Sequence, residues 1–157
     1  MTSPSERLAE LGLQLPEVVA PLAAYVPAVR EGHLVHTSGQ LPVSGGQLPV
    51  TGKVGQGDGT VDPGTAAELA RTCALNALAA AASVAGGLDA IERVVKVTGF
   101  VASDPAFTGQ PGVVNGASEL LQQVFGEAGR HARSAVGVAV LPLDAPVEVE
   151  ITVRVRS

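Results

Sequence analysis

The chain has 157 residues, a length that fits one domain able to bury its own core. Its apolar content of 46% is carried by Ala, Val and Leu, with three Phe, one Tyr and no Trp, so small side chains must pack at close approach. A net charge of −5 with no basic block argues against a nucleic-acid surface, and a single cysteine, Cys73, excludes an internal disulfide and suits a reducing cytoplasm.

Residues 1–16 lack a basic start followed by an apolar core, so they do not read as a signal peptide. The longest apolar run, ALNALAAAASVAGG, is too short and alanine-rich to span a bilayer, and the expectation is a soluble cytoplasmic protein without membrane contact. In SPSERLAELG, Ser3 or Ser5 can take an orphan amide and Gly12 suits the end, which predicts a short capped helix. YVPAVREGHLVHTSGQLPV breaks into two apolar pieces around a turn and reads as a hairpin from Tyr25 to about Leu41. Residues 44–63 are rich in Gly and Pro and read as loop; Asp62 and Pro63 then announce a helix over Thr65–Ala85, stopped by Gly86 and Gly87. AIERVVKVTGFVAS is a strand, DPAFTGQPG a loop, and VVNGASELLQQVFGEAG a second helix ending near Gly126 or Gly129. Two alternating runs joined by LPLDAP close the chain as a terminal hairpin. The order β-β-α-β-α-β-β predicts an α+β fold, a mixed sheet with two main helices on one face.

Several features resemble sites without carrying one. GKVGQGDG lacks the Lys-Ser/Thr pair of a phosphate loop and is read as surface loop. His33 and His36, three apart on a strand, point to opposite faces, so no metal site is expected. Cys73, inside an alanine-rich helix, is read as a small core residue.

The closing strands say more. Val147, Val149, Ile151, Val153 and Val155 share one face, and Glu148, Glu150, Thr152, Arg154 and Arg156 the other. The preceding strand is apolar or small on both faces, with Ser134, Val136, Val138 and Val140 against Ala135, Gly137, Ala139 and Leu141. A strand without a polar face expects cover on both sides, from helices on one and from a second subunit on the other. Carboxylates and an arginine beside such a contact need partners or a ligand.

ARSAVGVAVLPLDAPVEVEI strongly resembles the closing signature of the Rid/YjgF family, Ala-Arg-Ser-x-Val-x-Val-x-x-Leu-Pro followed by an acidic strand. Upstream, Thr-Ser-Gly-Gln in the first hairpin, the Arg, Asn and Gly of ELARTCALNALAAAASVAGG, and VVNGASELLQQVFGE, similar to the family's Val-Asn-x-x-Tyr-x-x-x-Phe helix, extend the likeness over about residues 20–156. The resemblance implies a chorismate-mutase-like α+β fold over 20–157, with 1–19 as an N-terminal helical extension, assembled as a homotrimer with clefts between subunits. It implies hydrolysis of reactive 2-enamino and 2-imino acids to a 2-oxo acid and ammonia, without a cofactor. The carboxylate-binding arginine falls on Arg133, and the acid that protonates the enamine and holds water on Glu148. Tyr25, Ser38, Asn115 and Ala135 fall on substrate-binding positions.

The residue types suit that chemistry: a guanidinium grips a carboxylate in two places, and a glutamate in a partly dry cleft holds a proton. The chain departs from the family where Ala135 replaces a frequent Cys and where Gly137 replaces a frequent Glu or Gln, a change expected to enlarge the cleft. His131 stands near a position where an aromatic is common. The alternative is a non-catalytic trimer that binds a small carboxylate metabolite, for which Arg133 alone would suffice. A ribonuclease is disfavoured by the acidic charge and the shortage of aromatic side chains for base stacking.

Overall fold

The computed structural model describes residues 1–21 and 23–157. Helix α1 spans Pro4–Glu10 and is capped by Ser3, whose hydroxyl accepts from the Glu6 amide while the Glu6 carboxylate accepts from the Ser3 amide. Strands β1 (Ala28–Glu31) and β2 (Leu34–Thr37) turn at Gly32, where φ is +62°. Helix α2 (Pro63–Ala85) starts at Asp62, whose carboxylate accepts from the Gly64 and Thr65 amides, and ends at left-handed Gly86. Strand β3 (Ile91–Ala102), helix α3 (Gln110–Phe125), strand β4 (Ala132–Val138) and strand β5 (Val147–Val155) follow. Helix α3 begins three residues before the expected start, because Pro111 sits in its first turn, where a missing N–H costs nothing.

Among the described residues, five strands form one mixed sheet in the order β1-β2-β5-β3-β4. The expected terminal hairpin does not exist: β4 pairs in parallel with β3, β5 pairs antiparallel with β3 on its other side, and β3 therefore lies between them. Strand β3, helix α3 and strand β4 make a strand–helix–strand crossover, which is how parallel neighbours are joined.

Helices α2 and α3 cover one face of the sheet, where Val147, Val149, Ile151, Val153 and Val155 are buried with Val94, Val97 and Val101. Alanines dominate the inner side of α2, and Gly116 of α3 lies so close that a Cβ there would meet the Ala67 carbonyl oxygen at 1.8 Å. The opposite sheet face carries Glu148, Glu150, Thr98, Phe100, Ser134 and Val136, and among the described residues no helix covers it. Val136 is 43% exposed and Val140 64%. Within one chain, then, β4 has helical cover on one side only.

Cys73 is fully buried, its thiol pushed up in pKa by burial. Among the described residues no helix is long and apolar enough to cross a membrane.

Candidate functional site

Register places Arg133 opposite Val97, so its side chain shares the helix-covered face with Ala135 and Gly137. The small residues there have a mechanical purpose. A Cβ on Gly99, which pairs with Ala135, would meet Val114 at 2.4 Å, so α3 rests directly on the strand backbone. That close approach brings Asn115 and Ser118 to the guanidinium. Arg133 Nη1 donates to Asn115 Oδ1 at 2.8 Å and to Ser118 Oγ at 3.2 Å, and Nη2 donates to the Pro111 carbonyl at 3.3 Å. These contacts use three of a guanidinium's five N–H groups. The Nε–H and one Nη2 hydrogen remain for a planar anion.

Behind this clamp, Ser118 Oγ lies 2.8 Å from His131 Nε2, and His131 Nδ1 lies 2.6 Å from the Gly129 carbonyl oxygen. Burial, and then the Arg133 charge, hold the His131 pKa below its ordinary value against a rise from the Gly129 carbonyl. Sequence reasoning passed over Ser118. The available signal was its place in the helix motif, where the resembled pattern has Tyr, beside an unusual His131.

Glu148 sits elsewhere. It pairs with Phe100 on β3 and therefore points to the uncovered face, opposite to that of Arg133 and one strand removed from β4. The Thr-Ser-Gly-Gln segment shapes its surroundings. His36 faces Thr152, yet Gln40 faces Val149, so β2 spends four steps where β5 spends three. The extra residue makes a bulge at Ser38 and Gly39. Thr37 Oγ1 repairs the interrupted ladder by accepting from the Ile151 amide at 3.0 Å, and Ser38 Oγ donates to the Val26 carbonyl at 2.6 Å. The bulge lays Gly39 against Glu148: a Cβ at Gly39 would meet the Glu148 Cδ and Oε2 at 2.7 Å. Gly39 is the second residue that sequence reasoning left out. Burial, with the like charge of Glu150 second, raises the Glu148 pKa, which favours a carboxyl that holds its proton longer.

Tyr25, 48% exposed, joins Pro27, Gly39, Gln40, Leu41 and Leu143 around an apolar cavity of about 50 Å³. Leu143 reaches it from a turn in which Leu143 and Asp144 have φ of +57° and +58°, uncommon for residues with a side chain. The site residues thus form two groups within one chain. Arg133, Asn115 and Ala135 gather at the sheet edge under α3, while Glu148, Ser38 and Tyr25 gather around the Gly39 bulge.

Gly137 corrects one expectation. A Cβ there would meet Gln110 Nε2 at 2.8 Å and Ser103 Oγ at 3.1 Å, so the missing side chain leaves no enlarged cleft. The Gln110 amide fills the space, donating to Ser103 Oγ and to the Phe107 carbonyl.

Comparison with known proteins places these residues in a wider group. The family model described as "YjgF/chorismate_mutase-like, putative endoribonuclease" matches residues 5–153. Protein TCP17 of Trypanosoma cruzi is 47% identical over 151 residues, covering 96% of this chain and 92% of the relative. Among solved structures, the protein Atu1372 of Agrobacterium tumefaciens is 47% identical with a TM-score of 0.87, over 98% of this chain and 92% of that one. TdcF of E. coli, crystallised with bound serine, is 29% identical with a TM-score of 0.58, over 90% of this chain and 94% of that one.

Proposed function

Because the chain belongs to the YjgF/chorismate-mutase-like family, we propose that it is a hydrolytic deaminase of reactive 2-enamino and 2-imino acids, working in clefts between the subunits of a cytoplasmic homotrimer. The observation that carries this reading is the Arg133 clamp: helix α3 fixes the guanidinium through Asn115, Ser118 and Pro111 and leaves donors for a carboxylate. The serine held by TdcF, an amino acid with the same α-carboxylate, supports a ligand of this class. The uncovered sheet face and its exposed Val136 support assembly with further copies, which would set the Glu148 of one chain across from the Arg133 of another.

In the reaction, Arg133 holds the substrate carboxylate and Tyr25, Ser38, Asn115 and Ala135 shape the cleft. Glu148, with its raised proton affinity, gives a proton to the enamine β-carbon, producing the 2-imino acid. The resulting carboxylate then accepts a proton from water as the water oxygen bonds to the imine carbon. As the carbinolamine collapses, a proton passes to its nitrogen and its hydroxyl gives one up, the C–N bond breaks, and ammonia and a 2-oxo acid leave with Glu148 protonated as at the start. No redox partner or cofactor is required for this balance.

The test generates 2-aminoacrylate in situ and follows its conversion to pyruvate with the parent, Glu148→Gln and Arg133→Ala, alongside sedimentation of the parent. The expected result is a trimer whose hydrolysis is lost in both variants, with pyruvate binding lost only in Arg133→Ala. A parent that binds pyruvate without accelerating hydrolysis would establish the non-catalytic binding reading instead.

A further inference from the structure

The contacts behind Arg133 have a direction. A carbonyl oxygen only accepts, so His131 Nδ1, 2.6 Å from the Gly129 carbonyl, carries a hydrogen. In the neutral ring, Nε2 then offers a lone pair. Ser118 fills it by donating its hydroxyl hydrogen over 2.8 Å, and its own oxygen accepts the Arg133 Nη1–H at 3.2 Å. Each partner in the row Arg133–Ser118–His131–Gly129 has a satisfied role; removing Ser118 frees one of the two Nη1 hydrogens of Arg133, and removing His131 frees the Ser118 hydroxyl to turn.

Resting on the reading above, we propose that Ser118 and His131 are positioning residues for Arg133, and that a proton on His131 and a carboxylate anion on Arg133 favour each other. When His131 gains a proton, Nε2 becomes a donor; Ser118 Oγ has two lone pairs and receives both the imidazolium and the guanidinium hydrogens. The contact survives, but two positive charges now sit one hydroxyl apart. An anion on Arg133 neutralises the nearer charge and removes that repulsion. By linkage, whatever ease the anion gives the proton, the proton returns to the anion.

The elements that adjoin His131 carry charged residues of both signs: Arg93 and Lys96 on β3, Glu119 on α3, Glu127 and Arg130 in the turn before β4, and Arg133 on β4, while Arg7 of α1 reaches that turn at Gly126. Glu127 and Arg130 face each other at 3.7 Å in the open, and Arg93 reaches the Arg130 carbonyl. Arg133 is the charge that bears on His131.

The experiment follows the His131 ring of the full-length protein by nitrogen NMR through a pH titration, with and without saturating pyruvate, and measures pyruvate affinity by calorimetry at pH 5.5 and 7.5. The affinity series uses a Glu148→Gln background to silence the other titrating carboxyl, and compares it with Glu148→Gln/His131→Phe. The expected outcome is an Nδ1–H tautomer, a His131 titration displaced to higher pH by pyruvate, and affinity at least about fivefold tighter at pH 5.5 than at 7.5, a dependence absent from the double variant. If pyruvate binds and Arg133→Ala abolishes that binding, yet the His131 titration stays in place, the relay is wrong and the carboxylate site stands. If Arg133→Ala binds pyruvate as the parent does, the site itself is wrong and the relay falls with it. Should His131→Phe not fold, the parent's NMR titration decides alone.

Discussion

Replacing Gly39 by alanine tests the Glu148 site without changing the chemical identity of any proposed reacting group. The new Cβ would lie 2.7 Å from Cδ and Oε2 of Glu148, and an ordinary contact begins at 3.4 Å, so the carboxylate must retreat by about 0.7 Å. The atoms in the way belong to the far end of a flexible side chain, not to backbone, so the fold tolerates the change and melting shifts by a few degrees at most. Chemistry is less forgiving. A displacement approaching 1 Å in a group that must aim a proton lowers rate by up to about 100-fold, or about 2.7 kcal/mol of barrier. The expected result is kcat for 2-aminoacrylate hydrolysis reduced about tenfold to 100-fold, with pyruvate affinity nearly unchanged because Arg133 lies on the other sheet face. Thermal melting and stopped-flow pyruvate formation measure the two halves. A Gly39→Ala protein with parental kcat would refute the argument that Glu148 acts from this position.

Two further outcomes concern stability. The folded-state pKa of Glu148 is raised, so ionisation opposes folding: the stability is fully present below the unfolded pKa, close to 4.5, and is lost as pH rises through the folded value. Glu148→Gln should therefore melt higher than the parent at pH 7, with the advantage vanishing near pH 4, as differential scanning calorimetry at the two pH values would show. Gly116→Ala sets a methyl 1.8 Å from the backbone oxygen of Ala67, which cannot swing aside, so α2 and α3 must part. A loss of about 3 kcal/mol, read as a melting point about 10 °C lower, is the expected cost.

What the sequence disclosed, and what it hid, follows from the range of each signal. Caps are local, and Ser3, Asp62, Pro63 and Gly86 all mark helix ends where the structure has them. Alternation in β5 correctly divides its buried valines from its glutamates, because face is a property of one strand. Neighbourhood is not. The closing run and its short LPLDAP link satisfy every local rule for a hairpin, yet β4 lies across β3 from β5. A clue stood one level up, in the strand–helix–strand succession of β3, α3 and β4 that joins parallel partners. Gly137 misleads for the same reason: an absent side chain predicts a void only if nothing distant in sequence reaches in, and Gln110 does. The roles of Ser118 and Gly39 depend on contacts across 13 residues to His131 and across the sheet to Glu148, beyond any periodicity.

The division of the site between two sheet faces has a chemical consequence. Had Arg133 and Glu148 shared a face within bonding distance, they would have formed an ion pair that spends the free guanidinium donors and draws the carboxyl's pKa down. Register forbids this: β3 lies between their strands and their side chains point to opposite sides. Each group would therefore reach the proposed subunit cleft in its useful state, the arginine with two donors unspent and the glutamate with its proton affinity raised by burial. What would bring them to one substrate is a second copy of the chain on the uncovered face. The cleft's width would then be set by rigid packing between subunits, and a ligand with an anion at one end and a proton-accepting carbon nearby would be what spans it.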